Sequence, residues 1–352
     1  MLEQSRKLLH VSNLYFSKPQ AQLAEALVRL IGGPGRCFFC NSGAEANEGM
    51  FKLARKFGDG EGRSEIITTQ GSFHGRTLAG IAASGDEKVK TGFGPAVPGF
   101  RQVPFNDLDA MRAAVTPQTA AVLIEAIQGE SGITAATAEY LFGLRKLCDE
   151  RGVLLLLDEV QSGHFRTGRF QGWQRILENA SPSDFLPDAV SMANSLGGGF
   201  PIGAFWVREP YAGLLSAGTH GATFGGNPLG CAVALKVLEI LERDQLAENA
   251  REIGSFIGAE LQRLIRKFPS VLKEVRGFGL MIGLEFRSDA PGLRGSDKAA
   301  ALQVVHRLHE AGVLTIPAAE SVIRLLPALN LTRPEAMEGL HAIESVVAAL
   351  AG

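Results

Sequence analysis

The chain lacks any apolar run close to the roughly 20 residues that a membrane-spanning helix needs. Its most apolar stretch, at 152–157, is far shorter. The formal net charge is only -2, so electrostatics offers no reason to expect nucleic acid or an anionic membrane as a partner. The first residues show no basic segment followed by an apolar one, so we find no signal peptide. We therefore predict a cytoplasmic location.

Cysteine is also scarce, with four residues in the chain. Cys37 and Cys40 have the C-x-x-C spacing that metal and redox sites use. However, no second pair and no suitably spaced histidine follows, and the pair lies in an apolar, strand-like run. We interpret these residues as buried, reduced thiols and predict no metal site.

What the chain does have is an ordinary globular composition over 352 residues, 45% hydrophobic and 20% charged, which suggests about two domains. The runs AVLIEAI and GVLLLLD are apolar almost throughout, as in strands that are covered on both faces. Strand-like and helix-like segments alternate, which predicts an α/β fold with a mainly parallel sheet. The predicted strands are 65–69, 121–126, 153–157, 189–192 and 204–207, with helices at 20–31 and 45–57.

The last third of the chain has a different pattern. A helix-like stretch at 227–268 leads to a predicted strand at 275–286. A helix at 298–311, two further strand-like segments and a helix from Pro334 follow. We predict a large domain at 1–235 and a smaller α+β domain at 236–352.

The first motif that can carry chemistry surrounds Ser42, Gly43 and Ala44. It lies between a predicted strand and a predicted helix, where small residues let the free amides of a helix N-terminus approach a phosphate. An ordinary Ser N-cap gives the same pattern. Both interpretations stay open on this motif alone.

A second motif, Gly71–Thr77, is a glycine-bounded loop after the strand EIITT. Phe73 would suit stacking on a flat ring, and Arg76 would suit a bidentate pair with a carboxylate. The alternative is a surface turn in which His74 has an ordinary hydrogen-bond partner.

A third motif places Asp158 at the C-terminal end of the most apolar strand, the edge at which open α/β sheets bind ligands. A carboxylate there is costly unless it is paired, and a protonated ring nitrogen is a suitable partner. Alternatively, Asp158 caps the next turn. Two glycine-rich segments, 196–204 and 223–228, mark close backbone approach, and Thr223 could offer a hydroxyl and an amide to a phosphate.

Taken in this order, the segments resemble class III aminotransferases of the acetylornithine and ornithine type, over essentially the whole chain. The resemblance implies the pyridoxal-phosphate-dependent transferase fold of type I. That fold has a large domain with a mainly parallel seven-stranded sheet and a smaller α+β C-terminal domain. It also implies pyridoxal 5'-phosphate as cofactor, held by Ser42, Gly43, Ala44, Phe73, His74, Asp158, Val160, Gln161 and Thr223.

The resemblance implies a role for each of these residues. The amides of the first motif would hold the phosphate. Phe73 and Val160 would lie on opposite faces of the pyridine ring, Asp158 would pair with its nitrogen, and Gln161 would lie near the phenolic oxygen. Thr223 would reach the phosphate bound by a neighbouring subunit, which implies a homodimer with its sites at the interface.

The implied reaction moves the δ-amino group of N-acetylornithine, or of a related ω-amine, to 2-oxoglutarate, as in arginine biosynthesis. Arg324, in VIRLLPALN, matches the arginine that takes the substrate α-carboxylate, and Glu130, in IEAIQGE, matches the glutamate beside it. Arg76 would suit the distal carboxylate or the acyl end, and Ala222 would line the substrate site.

The chain departs from the family pattern at its catalytic centre. The family has Ala-Lys-x-Leu-Gly-Gly-Gly, and its lysine forms the Schiff base with the cofactor, whereas this chain has Asn194 at that position and no lysine between Lys146 and Lys236. An amide is neither an amine nucleophile nor a base at neutral pH. The predicted catalytic set is therefore Asn194, Asp158 and Glu130. A catalytically impaired cofactor-binding paralogue, or a mutant of an active enzyme, is the alternative to an active transaminase.

Two smaller departures accompany this one. Family members carry a further segment before the helix that begins here near Met1, so we expect part of the small domain to be missing. The loop at 171–187 is longer than in the family pattern, and we have no functional explanation for it.

Overall fold

The computed structural model describes residues 1–181 and 184–352, so residues 182–183 of the long loop at 171–187 lie outside the described residues. The strands are β1 (Gly35–Cys40), β2 (Glu65–Thr69), β3 (Phe100–Val103), β4 (Thr119–Glu125), β5 (Ile127–Gln128), β6 (Thr134–Ala135), β7 (Leu154–Asp158), β8 (Ala189–Met192), β9 (Gly203–Arg208), β10 (Leu272–Phe278), β11 (Met281–Phe286), β12 (Ile316–Pro317) and β13 (Val322–Leu325). The helices are α1 (Leu2–Lys7), α2 (Lys18–Ile31), α3 (Gly43–Gly58), α4 (Leu78–Ala83), α5 (Leu108–Ala114), α6 (Ala138–Arg151), α7 (Gly172–Ile176), α8 (Pro228–Arg243), α9 (Leu246–Lys267), α10 (Ala300–Glu310) and α11 (Arg333–Ala351).

The large sheet has the strand order β1-β9-β8-β7-β4-β2-β3 across the described part of the chain. Strands β3, β2, β4, β7 and β8 pair in parallel, whereas β9 runs antiparallel to both of its neighbours. All residues of β4 and β7 are buried, as expected for strands covered on both faces. This architecture confirms the predicted α/β fold with a mainly parallel seven-stranded sheet.

Helix α3 packs its apolar face against this sheet. Met50 and Phe51 from the helix join Leu123, Leu156 and Phe205 from three strands in one buried cluster. Ser42 begins the helix, because its side-chain oxygen accepts a hydrogen bond from the backbone N–H of Glu45 at 3.2 Å. The sheet and this helix together bring the ends of β1, β7 and β8 close to the first turn of α3.

The chain forms two compact units. Unit 1 comprises Met1–Ala126, Ala136–His164 and Ile176–Leu241, and unit 2 comprises Ile127–Ala135, Phe165–Arg175 and Glu242–Gly352. Unit 2 contains a four-stranded antiparallel sheet of order β10-β11-β13-β12.

The sequence assigned the two short segments of unit 2 to the large domain. Both segments are hydrogen-bonded to arginines of the same unit. Arg276 Nε donates to the carbonyl of Gly132 at 2.7 Å, and Arg251 Nε donates to that of Gly168 at 2.9 Å.

Two expectations for the C-terminal part are wrong in detail. The predicted helix at 227–268 is two helices, because Gln245 takes a left-handed backbone conformation (φ 52°) between α8 and α9. The predicted strand at 275–286 is a hairpin of β10 and β11, which turns at Gly279 (φ 55°) and pairs Phe278 with Met281. Among the described residues, no helix has the length and hydropathy to cross a membrane.

Candidate active site

The first turn of α3 can receive an anion. Gly43 and Ala44 are its first two residues, so their N–H groups have no acceptor within the helix, and the helix dipole favours negative charge at this end. A Cβ atom on Gly43 would lie 2.7 Å from Cγ1 of Val160, which shows how closely the turn approaches the residues after β7. The N-cap by Ser42 and the anion site are therefore compatible.

Asp158, the last residue of β7, is a buried carboxylate with hydrogen bonds to both oxygens. Oδ2 accepts from Asn47 Nδ2 at 2.7 Å and lies 2.8 Å from His74 Nδ1. Oδ1 accepts from the backbone N–H of Val160 at 3.1 Å and from Ser191 Oγ at 3.3 Å. The carboxylate thus caps the turn that follows β7 and is also held in one orientation, as pairing with a ring nitrogen requires.

Asn47 and Ser191 did not emerge from the sequence as site residues. Asn47 lies one helical turn after Gly43, on the same face of α3, and also donates to the backbone carbonyl of His74 at 3.1 Å. Ser191 lies directly opposite Asp158 in the pairing of β7 with β8. Both residues reach the Asp158 carboxylate only because α3 packs on the sheet and β8 pairs with β7.

The loop at 71–77 lies against the start of α3. A Cβ atom on Gly75, which has φ 114°, would lie 3.0 Å from Cβ of Ala44. His74 is fully buried, and its Nε2 has no hydrogen-bond partner among the described residues. The loop is therefore not a surface turn, although His74 does have a hydrogen-bond partner in Asp158.

The same loop carries the aromatic ring predicted to stack on the cofactor. Phe73 is half-buried, and its backbone N–H donates to Glu125 Oε2 at 3.3 Å. The guanidinium of Arg76 lies 5.5 Å from the centre of the Phe73 ring and is exposed. A flat ligand could contact the ring while a carboxylate pairs with the arginine.

Asn194 follows β8 by two residues, and its side chain is exposed. Its neighbour Ala193 is buried, with Cβ 3.5 Å from the position of a Cβ on Gly43. Asn194 has a positive φ of 29°, a conformation that asparagine tolerates better than most residues. Gln161, after β7, is half-buried.

In unit 2, Arg324 on β13 pairs with Glu130. Its Nη1 donates to Glu130 Oε1 at 2.8 Å and to the carbonyl of Gly129 at 2.9 Å. The Arg324 side chain is 6% exposed, whereas that of Glu130 is 40% exposed. A buried guanidinium paired with an exposed carboxylate can exchange that partner for a carboxylate of another molecule.

Ala222 and Thr223 line a separate cavity of about 720 Å³ in unit 1, together with His10 and Asn13. Asn13 Nδ2 donates to the carbonyls of Ala222 and Gly225 at 3.0 and 2.8 Å. Thr223 itself is exposed. The structure places these residues beside β1 and α2 and shows no hydrogen bond from Thr223 to the first turn of α3 within the described chain.

The C-x-x-C pair has no part in the site. Both thiols are free, and burial raises the pKa of Cys37 and of Cys40 to about 12. Neither is a thiolate at neutral pH, which fits the interpretation as structural cysteines.

The residues of this site fit the phosphate and the ring nitrogen of pyridoxal phosphate but not its aldehyde. Free amides, a close glycine approach and a fully oriented carboxylate suit its phosphate and its ring nitrogen. Asn194 does not suit its aldehyde, because an amide forms no imine. The unit 1 residues that the fold brings together are Ser42, Gly43, Ala44, Asn47, His74, Asp158, Val160 and Ser191.

The fold and these residues define a pyridoxal-phosphate-dependent transferase. The model of the family "Aminotransferase class-III" matches residues 1–347. The acetylornithine aminotransferase of Gloeobacter violaceus is 45% identical over 351 residues, covering 99% of this chain and 83% of the relative. That of Methanocaldococcus jannaschii is 42% identical, with coverage of 98% and 82%.

Solved structures agree with these matches. The N-acetylornithine aminotransferase of Stenotrophomonas maltophilia K279a superposes with a TM-score of 0.81 at 36% identity, over 99% of this chain and 84% of that one. The ornithine aminotransferase of Toxoplasma gondii, which has partial occupancy of PLP at its active site, superposes with a TM-score of 0.89 at 31% identity, over 99% and 81%. The chain belongs to the class III aminotransferases, and its cofactor is pyridoxal 5'-phosphate.

Proposed function

We propose that this chain transfers the δ-amino group of N-acetylornithine, or of a related ω-amine, to 2-oxoglutarate, as in arginine biosynthesis. The observation that carries the proposal is the buried guanidinium of Arg324 paired with the exposed Glu130 carboxylate. Such an arginine suits the α-carboxylate that the proposed donor and acceptor share. The relatives named acetylornithine aminotransferase support this choice of donor.

Each predicted residue would then contribute one interaction. The amides of Gly43 and Ala44 bind the cofactor phosphate, Asp158 holds the proton of the ring nitrogen, and Phe73 stacks on the ring. Arg76 takes the distal carboxylate or the acyl end of a substrate. When bound, the cofactor supplies an electron sink for the substrate carbon, and the residues around it bind and orient.

A second candidate function is cofactor binding with very slow turnover, and Asn194 favours it. In the family, the lysine at this position moves the proton at the substrate carbon. Losing a positioned acid–base group costs about 10²–10⁴-fold in rate. We therefore expect the chain to release glutamate from N-acetylornithine and 2-oxoglutarate at least about a hundredfold more slowly than Asn194→Lys does.

The donor is best tested in the Asn194→Lys background by single-turnover absorbance, with the donor alone and no acceptor. Replacing Arg324 by Lys should slow the reaction of N-acetylornithine about 10- to 100-fold, because a bidentate charged hydrogen bond is lost. The same change should have little effect on 1,4-diaminobutane, which has no carboxylate. Equal losses with both donors would disprove the carboxylate role of Arg324. If N-acetylornithine gives no reaction at all, the proposed donor is wrong.

We also propose a homodimer with a site at the interface. Thr223 is exposed beside Phe224, and the nearby side chains of Leu14 and Phe16 are 86% and 106% exposed. Apolar side chains of this size are usually covered. Light scattering should give twice the chain mass, and Phe16→Ser should lower it, whereas Leu314→Ser in unit 2 should not. A monomer with full cofactor affinity would rule the dimer out. The cytoplasmic location stays a prediction.

A further inference from the structure

Asn194 follows Ala193, which lies beside the residues that would hold the cofactor. These residues, Gly43, Ala44 and Asp158 with its hydrogen-bond partners, form what we call the cofactor cradle. Ser191 Oγ contacts the Asp158 carboxylate at 3.3 Å. Asn194 is three residues further along, so its Cα is at most about 11 Å from that of Ser191. Ala193, between them, is buried beside the position of a Cβ on Gly43. The backbone at Asn194 therefore adjoins the residues that would hold the phosphate and the ring nitrogen.

The Asn194 side chain is free to act on a ligand. It is exposed, and none of the described residues forms a hydrogen bond with its amide. The positive φ at this position, 29°, suits asparagine better than lysine. The chain thus presents one carbonyl oxygen and one NH₂ group at the position where the family pattern has an ammonium group.

The cofactor has an aldehyde form, pyridoxal 5'-phosphate, and an amine form, pyridoxamine 5'-phosphate. An amide in place of the lysine amine changes which of these two forms the site prefers. The aldehyde form loses its covalent bond to the protein, whereas the amine form never had one. A lysine ammonium would repel the ammonium of the amine form, and an asparagine carbonyl accepts a hydrogen bond from it. Hydrogen bonds to a charged group are about twice as strong as neutral ones, and an uncharged aldehyde can make only a neutral one with Asn194.

We propose that this chain is a reversible binding site for pyridoxamine 5'-phosphate, which it binds in preference to pyridoxal 5'-phosphate. The preference should be about five- to tenfold in dissociation constant, the difference between a charged and a neutral hydrogen bond. This inference rests on the cofactor cradle of the proposed function and not on the identity of the amino donor. In this binding site the Asn194 carbonyl oxygen accepts a hydrogen bond from the ammonium group of the cofactor.

The test measures binding and covalent attachment rather than activity. Equilibrium dialysis with each cofactor form gives two dissociation constants for the chain, for Asn194→Lys and for Asn194→Ala. The chain should bind the amine form about five- to tenfold more tightly. In Asn194→Ala the two constants should be nearly equal, because the charged hydrogen bond to the amine and the neutral one to the aldehyde are both lost. Asn194→Lys should reverse the order.

Borohydride reduction followed by peptide mass spectrometry completes the experiment. The chain loaded with pyridoxal phosphate should show no reduced adduct on any lysine, whereas Asn194→Lys should carry one at position 194. A retained adduct on the unaltered chain would overturn the proposal, and so would the same preference in the chain and in Asn194→Ala. If neither the chain nor either variant binds any cofactor, the cradle assignment fails with it. Binding in the expected order, with no reaction of N-acetylornithine in Asn194→Lys, would refute the donor alone.

Discussion

The Asn47 amide links three buried parts of the site, which makes its removal an informative perturbation. Nδ2 donates to Asp158 Oδ2 at 2.7 Å and to the carbonyl of His74 at 3.1 Å. Asn47, His74 and Asp158 are 2%, 0% and 4% exposed. We expect Asn47→Ala to destabilise the chain and to raise the dissociation constant for the cofactor, because the Asp158 carboxylate loses one of the donors that orient it.

The expected decrease in the free energy of unfolding follows from three contributions. A hydrogen bond to a charged acceptor contributes about 1.5–3 kcal/mol. Leaving the His74 carbonyl without this donor costs about 1–3 kcal/mol. However, Oδ1 of Asn47 is itself buried without a partner among the described residues, so its removal returns a similar amount. The last two contributions nearly cancel, and the net loss is about 1.5–3 kcal/mol, set by the bond to the carboxylate.

Urea denaturation followed by circular dichroism measures this loss as a shift of the unfolding midpoint. Asn41→Ala is the matched control, because within the described chain its side chain bonds only to the exposed Glu45. It should change the free energy of unfolding by less than about 0.5 kcal/mol. An Asn47→Ala chain that unfolds at the same midpoint as the control would refute the reasoning.

Three further predictions concern other positions. Gly43→Ala brings Cβ within 2.7 Å of Val160, so we expect about 1–3 kcal/mol of destabilisation and weaker cofactor binding in dialysis. Gly258→Ala, on α9 with open space around its Cβ, should stabilise the chain by about 0.5–1 kcal/mol in the same urea assay. Hydrogen bonds from Lys267 and a nearby arginine lower the pKa of the Glu344 carboxyl to about 2. The ionised Glu344 carboxylate therefore stabilises the folded chain above pH 4.5, and this stabilisation is lost as the pH falls towards 2. Glu344→Gln should therefore lower the melting temperature at pH 7 and not at pH 2.

The sequence was most informative where hydrophobic pattern decides structure. The runs around Leu123 and Leu156 are apolar without alternation because the strands are covered on both faces, and the parallel sheet follows from that. Asp158 was recognisable because a charge directly after such a run needs a partner. The glycine and serine of the first turn of α3 were recognisable because few other residues allow that approach.

Other features depend on contacts that no local pattern reveals. Neither glycine nor proline marks the break at Gln245, so the sequence predicts one helix where a left-handed residue separates two. The hairpin at Gly279 is not marked by the hydrophobic pattern, because apolar residues occur on both sides of it. Asn47 appears as an ordinary polar residue of a helix until α3 is packed on β7. The grouping of 127–135 and 165–175 with unit 2 depends on contacts with residues that are distant in the sequence.

The central claim is that the cofactor cradle in unit 1 binds the phosphate and the ring of the cofactor without a lysine. A crystal structure of the unaltered chain with pyridoxamine 5'-phosphate tests it directly. We expect the phosphate oxygens within about 3 Å of the amide nitrogens of Gly43 and Ala44, and the ring nitrogen within about 3 Å of the Asp158 carboxylate. A cofactor bound elsewhere, or one whose ring nitrogen faces away from Asp158, would contradict the claim.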